Sequence, residues 1–292
     1  MLKKMLAMTA ALLLTLSLAA CAGKSASEGQ AAAQEIVVVS REDGSGTRGA
    51  FIELFGVEQK DENGDKIDHT TLDAEFVNST SVVIETVANN TDAIGYISLG
   101  SLNDSVKALQ IDGADATVEN IKSGEYKIAR PFNIATQAEI SEAAQAFLDF
   151  ILSAEGQAVI EDNKYISSVD NAQPYAGSMV EGKVVVAGSS SVTPVMEKLK
   201  EAYAEINPNA VIEIQMSDSS TGVNMAVDGS CDLGMASREL KDSELEKGVT
   251  PTVIALDGIA VVVNNANAIS GLTADQVRAV YMGEITDWSE LQ

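Results

Sequence analysis

The sequence predicts an α/β protein with a mostly parallel sheet, divided into two domains. Short runs of β-branched residues alternate with longer helix-like runs along most of the chain, which is the pattern of β-α-β units. Two of the strand-like runs end in turns rich in glycine and serine, the place where α/β sheets bind ligands. A chain of 292 residues is long enough to bury two hydrophobic cores.

Each element is assigned from its local pattern. The predicted strands span residues 36–39, 74–77, 93–97, 127–134, 184–187, 211–215, 233–235 and 259–263. The predicted helices span residues 46–55, 79–88, 118–123, 140–152, 154–163, 193–206, 222–227 and 273–282. Thr273 and Gln276 have the spacing of a capping box, and Pro194 suits a first helical turn. The polar segment 60–71 is predicted to be an exposed loop.

The N-terminus has the pattern of an export signal. Lys3 and Lys4 precede an apolar run at residues 5–18, which is too short to span a bilayer. The sequence Leu-Ala-Ala-Cys at residues 18–21 matches a lipoprotein cleavage box, although a plain secretion signal with a chance cysteine is the alternative. We therefore predict a signal peptide and lipobox at 1–21, lipidation of Cys21, and a flexible tether at 22–34. The predicted location is extracytoplasmic, lipid-anchored to the outer face of the bacterial cell membrane.

Composition excludes several classes of chemistry. The net charge is −24, which argues against nucleic acid, because nucleic-acid binding needs basic patches. It leaves an anionic ligand possible, because a buried site experiences local dipoles more than screened surface charge. His69 is the single histidine and Cys231 the single cysteine besides Cys21, so neither a zinc site nor a Ser-His-Asp triad is expected. No metal and no cofactor are predicted, and Cys231 is expected to be a buried, inert thiol.

Three turns carry the candidate chemistry. Residues 35–47 read EIVVVSREDGSGT, residues 183–193 read KVVVAGSSSVT, and residues 217–225 read SDSSTGVNM. In the first two, a β-branched strand stops at small hydroxyl residues and glycines and then enters a helical pattern. This arrangement directs backbone N–H groups and a helix N-terminus at an anion.

The first turn also matches the dinucleotide pattern G-x-G-x-x-G at Gly44, Gly46 and Gly49. We reject a dinucleotide site because residues 41–43 separate the strand from the first glycine and the residues near position 65 form a polar loop rather than a strand ending in an acid. A turn without a ligand is the remaining alternative.

Together these motifs resemble the phosphate-binding lipoprotein of the bacterial phosphate ABC importer, a two-domain periplasmic-binding-protein-like fold of type II with its ligand cleft between the domains. In that family the AGSSS-like motif comes first and the DGSGT motif follows, so the chain resembles a circularly permuted member. A truncated tandem protein would show the same order. The resemblance implies ligand-binding domain A at 35–127 plus 265–292 and domain B at 128–264, with 170–182 as the permutation linker.

The resemblance also implies the site. Arg41 would donate a charge-assisted pair of hydrogen bonds to two ligand oxygens, with Asp43 holding the arginine in place, while Arg48 is expected to face solvent. The remaining expected phosphate-binding residues supply hydroxyl or backbone N–H groups: Ser45, Gly46, Thr47, Ser190, Ser191, Ser219 and Ser237. Ser189 replaces Ser190 or Ser191 if the register shifts by one.

One position departs from the family. Some members carry an aspartate that accepts the proton of hydrogen phosphate, and Ser237 stands there in this chain. A serine accepts that proton through its lone pairs but repels a dianion less than a carboxylate does. Asp218 and Asp232 are both candidates for a replacement acceptor.

The function implied is extracytoplasmic binding of inorganic phosphate and its delivery to the membrane permease of a phosphate ABC importer, by a monomer that performs no reaction. The alternatives are a binding protein for another oxyanion (sulfate, molybdate or arsenate) and a non-transport phosphate sensor or adhesin of the cell envelope. A phosphate-ester hydrolase is disfavoured because clustered metal ligands and a nucleophile with a base are missing from the sequence pattern.

Overall fold

The computed structural model describes residues 34–177 and 179–291. The predicted signal peptide, Cys21 and nearly all of the predicted tether lie outside the described residues. Within them, strands and helices alternate as the sequence predicts.

The elements follow in chain order. The first stretch contains β1 (Val37–Arg41), α1 (Gly46–Leu54), β2 (Glu58–Lys60), β3 (Lys66–Asp68), β4 (Glu75–Val77), α2 (Thr80–Asn89), β5 (Ala93–Ser98), β6 (Val106–Ala108), β7 (Gln110–Ile111) and α3 (Val118–Ser123). The second contains β8 (Ala129–Thr136), α4 (Glu142–Ile151), α5 (Ala154–Asp162), β9 (Ile166–Ser167), β10 (Gly182–Ser189), α6 (Thr193–Ile206), β11 (Ala210–Ser217), α7 (Ser219–Asp228), β12 (Leu233–Ala236), α8 (Asp242–Leu245) and β13 (Thr250–Asn264). The last contains β14 (Gly271–Leu272) and α9 (Ala274–Tyr281). Short 3₁₀ turns lie at Leu99–Ser101 and Trp288–Leu291.

The strands of the main sheet pair in parallel at its two sides and antiparallel at its centre. Its strand order is β11-β10-β12-β8-β13-β5-β1-β4. The outer pairs on both sides are parallel, as predicted, but the central pairs of β12 with β8, β8 with β13, and β13 with β5 are antiparallel. The long strands β8 and β13 thus join two α/β halves, and the mostly parallel sheet is interrupted where the chain crosses between them.

The buried apolar residues divide in the same way. One cluster draws on residues 36–128 and 259–291, and we call this half lobe one. Two further clusters, on the two faces of the second half of the sheet, draw on residues 132–255, and we call this half lobe two. The division falls close to the predicted domain limits, which themselves remain a prediction.

The two ends of lobe one meet. Ile36 N donates to Thr286 O at 2.8 Å, Trp288 N donates to Gln34 O at 3.0 Å, and the Tyr281 hydroxyl lies 3.2 Å from Val39 O. The segment that begins the described chain therefore packs beside the segment that ends it, which is the neighbourhood that a circular permutation requires. Permutation relative to the wider family stays a prediction.

Local patterns miss several short elements, among them β6, β7, β9 and α8. Residues 60–71 are not simply a loop, because β2 and β3 pair there as an antiparallel hairpin. Its turn is held by the Asp61 carboxylate, which accepts from Asn63 N and Asp65 N. The sequence does not predict this hairpin, because its two short, exposed strands consist mostly of charged and polar residues and show no alternation of apolar side chains. The Thr273–Gln276 capping box and Pro194 at the start of α6 are confirmed.

Candidate functional site

The first half of the site is the turn after β1. Arg41 is the last residue of β1, which pairs in parallel with both β4 and β5. Its side chain is only 2% exposed. The guanidinium donates to both carboxylate oxygens of Glu42, each at 2.7 Å. The prediction that Asp43 holds this arginine is wrong: the Asp43 side chain is 98% exposed and pairs with Arg48, so the adjacent Glu42 takes that place.

Helix α1 begins directly after this turn. Ser45 is its N-cap and accepts from Arg48 N, while Gly46 and Thr47 are buried in the first turn. The N–H groups at this end point out of the helix and carry its positive dipole end. Arg48 is not the solvent-facing residue predicted, because it is only 14% exposed and pairs with Asp68 at 2.8 Å.

The second half of the site follows β10 in lobe two. Ser189, Ser190 and Ser191 are all at most 5% exposed and immediately precede α6. The Ser190 hydroxyl accepts from Arg41 Nη2 at 3.1 Å, and the Ser191 and Thr47 hydroxyls are 2.7 Å apart. Two motifs that lie far apart in the sequence therefore meet across the lobes.

Ser219 and Ser237 complete the lobe-two side, and both are fully buried. Ser237 Oγ lies 3.0 Å from Ser189 Oγ and 3.3 Å from Ser219 Oγ, and Ser237 N donates to Ser219 Oγ at 3.1 Å. A Cβ built on Gly46 would lie 2.4 Å from Ser219 Oγ and 2.7 Å from Ser237 Oγ. Lobe one thus approaches this pair so closely that a side chain at position 46 would force the two serines to shift.

Thr80 joins the same cluster and was missed by sequence reasoning. It is the first residue of α2, is 5% exposed, and its hydroxyl lies 3.1 Å from Ser191 Oγ and 3.4 Å from Arg41 Nη1. The signal was available in the run NSTS at residues 78–81, which lies between a strand and an apolar helix pattern like the other two turns. It lacks glycine, and a serine-rich helix start is usually only a cap.

The electrostatics combine dipoles with a compensated charge. Helices α1, α2, α6 and α7 all begin at the hydroxyl cluster, and a helix N-terminus favours an anion. The Arg41 guanidinium, which contacts the cluster, is already paired with Glu42, so much of the attraction for an anion must come from N–H and O–H dipoles. Such a site offers hydrogen-bond donors on several sides, which suits a tetrahedral oxyanion.

The structure separates the two candidates for a carboxylate near Ser237. Asp232 lies before β12 and accepts from Val185 N at 2.8 Å, at the opposite end of the strand from Ser237. Asp218 is nearer, but it caps α7 by accepting from Thr221 N at 2.9 Å. Neither carboxylate occupies the place of Ser237.

Cys231 and the remaining groups are outside the site. Burial raises the pKa of the Cys231 thiol to about 12, and the side chain is 6% exposed, as expected for an inert thiol.

Between residues 34 and 291, apart from residue 178, no grouping of His, Cys, Asp and Glu suits a metal ion. Over the same residues, no helix has the length and apolar character needed to cross a membrane.

Comparisons with known proteins identify the family of the chain. The family model described as PBP superfamily domain matches residues 13–155 and 173–292. The chain is similar to "Phosphate-binding protein PstS 2" of Streptococcus agalactiae serotype V, with 57% identity over 94% of this chain and 92% of the relative. It is similar to the protein of the same name from Streptococcus pneumoniae serotype 4, with 46% identity over 99% of both chains.

A solved structure gives the same result. The crystal structure of a phosphate ABC transporter, phosphate-binding protein, from Streptococcus pneumoniae TIGR4 matches with a TM-score of 0.69 and 46% identity, over 88% of this chain and 100% of that one. Because the alignments to the streptococcal relatives run through nearly the whole of both chains, those relatives share this order of segments. The chain belongs to the PBP superfamily and, within it, to the family of the PstS phosphate-binding proteins.

Proposed function

We propose that this chain binds inorganic phosphate outside the cytoplasm and delivers it to the permease of a phosphate ABC importer, without performing a reaction. One observation carries the proposal: the REDGSGT and AGSSS turns, from different lobes, meet through the Arg41–Ser190 and Thr47–Ser191 contacts. The names of the relatives, which are phosphate-binding proteins, and of the similar solved structure, a component of a phosphate ABC transporter, support it.

The proposed binding residues come from both lobes. Arg41 supplies the guanidinium, held by Glu42, and the hydroxyl and backbone N–H groups of the cluster surround the anion as the lobes close. The serines contact one another, Arg41 and backbone groups, and no base is among these partners, so activation of a nucleophile is not supported. The proposed set is Arg41, Ser45, Gly46, Thr47, Thr80, Ser190, Ser191, Ser219 and Ser237.

A second candidate ligand is favoured by a specific observation. Ser237 takes the place of the family aspartate, and no carboxylate replaces it, because Asp232 faces the other end of β12 and Asp218 caps a helix. A fully ionised oxyanion such as sulfate or molybdate therefore meets less repulsion here, and arsenate, which carries a proton at neutral pH, resembles hydrogen phosphate itself. We propose phosphate as the principal ligand with incomplete rejection of these anions.

The cellular setting is part of the proposal. Lipidation of Cys21 would anchor the protein by several acyl chains to the outer face of the cell membrane, with the tether leading to a monomeric binding unit that needs no cofactor. A role as an envelope phosphate sensor would use the same site. Measuring phosphate uptake in cells that lack this protein separates the two roles, because loss of uptake is expected for transport and not for sensing.

Calorimetric titration of residues 35–292 tests the proposal, with phosphate, sulfate, molybdate and arsenate as ligands. We expect the tightest binding for phosphate, at one anion per chain, and its loss in Ser190→Ala. Ser153→Ala is the matched control, because Ser153 is an equally buried serine at a helix N-terminus in lobe two but caps α5, away from the cluster. Absence of heat and of a thermal shift at millimolar phosphate contradicts the proposal.

A further inference from the structure

A second buried arginine lies where the lobes join and is not used by the site described above. Arg130 on β8 is directly opposite Asp257 on β13, and both side chains are at most 2% exposed. Arg130 donates from Nε and Nη2 to the same oxygen, Asp257 Oδ2, at 3.4 and 3.1 Å. The other oxygen, Oδ1, accepts from Ser98 Oγ at 2.9 Å and from Gly100 N at 3.4 Å, so lobe one holds the carboxylate.

Arg130 keeps an unused donor. Its Nη1 is buried and has no hydrogen-bond partner among the described residues. A buried guanidinium N–H without an acceptor is costly, and a stable fold retains one where another contribution offsets the cost.

The pair lies on strands between those that carry the two halves of the site. In the sheet, β1, β5, β13 and β8 are successive neighbours and carry Arg41, Ser98, Asp257 and Arg130. On its other side β8 pairs with β12, with Asn133 opposite Ala236, the residue before Ser237. Arg130 is therefore flanked by strands that lead to the charged half and to the hydroxyl half of the site.

Arg130 experiences the charges of both Asp257 and Arg41. Burial lowers the pKa of Arg130, the negative charge of Asp257 opposes that shift, and the positive charge of Arg41 lowers the pKa further. Burial also raises the pKa of Asp257 to about 6, against the effects of Arg130, Ser98 and Gly100, so the carboxylate is ionised at neutral pH. A charge that repels the Arg41 guanidinium attracts an anion held beside that guanidinium.

We propose that Arg130 is a positioning residue of the anion site that stabilises the bound anion through its charge, and that Asp257 limits this effect as its counter-charge. Since Glu42 already compensates Arg41, the second guanidinium supplies attraction that the contacting residues do not. The inference rests on the proposed function, because it concerns the affinity of the same site for phosphate.

The proposal predicts changes of opposite sign, which a merely structural pair would not give. Arg130→Met removes the charge and is expected to weaken phosphate binding about tenfold or more, because the interaction acts through a medium of low dielectric constant. Asp257→Asn removes the counter-charge, keeps one acceptor oxygen, and is expected to tighten binding about threefold or more at pH 7.5. Lys183→Met is the matched control for net charge, since Lys183 pairs with Glu213 on the exposed surface, and is expected to leave affinity unchanged.

Calorimetric titration of residues 35–292 with phosphate measures these affinities, and thermal melts establish that each variant is folded. Weaker binding in both variants, or an effect of Arg130→Met below twofold, overturns the inference. If either variant fails to fold, Arg130→Lys decides: retention of affinity within about threefold supports a charge effect, and a loss above tenfold overturns it. A wild type that does not bind phosphate overturns the proposed function, whereas binding that is unaffected by these variants overturns this inference alone.

Discussion

The two halves of the site differ in what they offer an anion. Lobe one contributes the buried Arg41–Glu42 pair together with the starts of α1 and α2. Lobe two contributes hydroxyl groups and backbone N–H groups at the starts of α6 and α7, and its nearby arginine, Arg238, is occupied by Glu244. The guanidinium that contacts the cluster belongs to lobe one, whereas lobe two offers neutral donors, so substitutions in the two lobes test the charged and the neutral contributions separately.

The largest expected effect separates the arginines of the two lobes. Arg41→Met should weaken phosphate binding by about 2–5 kcal/mol, the range for removing one partner of a buried, hydrogen-bonded charge pair. Arg238→Met removes an arginine of similar burial that pairs with a glutamate in lobe two, and it should cost less than tenfold in affinity. Titration calorimetry on both variants makes the comparison, and a loss below tenfold for Arg41→Met would remove Arg41 from the site.

The next prediction concerns selectivity in lobe two. Ser237→Asp places a carboxylate among the Ser189 and Ser219 hydroxyls, where it can accept the proton of hydrogen phosphate but repels sulfate. We expect sulfate binding to weaken more than phosphate binding, by a differential of several kcal/mol. Ser220→Asp is the control, because Ser220 lies next to Ser219 at the start of α7 but is partly exposed. If wild type shows no sulfate binding and selectivity is unchanged in Ser237→Asp, this residue does not discriminate.

A steric substitution tests whether the halves must approach closely. Gly46→Ala puts a methyl group 2.4 Å from Ser219 Oγ, and overpacking of this kind costs about 1–3 kcal/mol, which should appear as reduced phosphate affinity. Gly49→Ala lies on the same helix, and its methyl group would meet Arg238 Cδ at an ordinary 3.6 Å. Equal affinities for the two variants, measured beside their thermal stabilities, would show that the lobes need not close this tightly.

The smallest effect belongs to the hydroxyl that the sequence did not identify. Thr80→Val keeps the shape of the side chain but removes contacts to Ser191 and Arg41. We expect phosphate affinity to fall by about 1 kcal/mol, the usual net worth of one hydrogen bond. Ser81→Ala, at the exposed neighbouring position, should have no effect, and an unchanged affinity in Thr80→Val would limit lobe one to Arg41 and the α1 turn.

The sequence predicted the parts of this molecule that depend on local pattern. Strands β1 and β10 and the turns after them were identified because β-branched runs stop at serine and glycine, and the resemblance assigned those turns to one cleft. The acid that holds Arg41 was misassigned, since Glu42 and Asp43 are adjacent and only the direction of each side chain separates them. The NSTS run that contains Thr80 resembles an ordinary helix cap, and the Arg130–Asp257 pair required the register between distant strands, which a single sequence does not contain.

The crossing strands also determine which lobe is continuous along the chain. Lobe two is built from one uninterrupted stretch, residues 132–255, whereas the core of lobe one needs both residues 36–128 and residues 259–291. During synthesis lobe two can therefore close its core first. Strand β1 can complete its packing only after Tyr281 and Trp288 have been synthesised. Under the permutation that the resemblance implies, the roles would be exchanged in the wider family, so rearranging the segments would keep the binding site and reverse the order in which its halves are expected to fold.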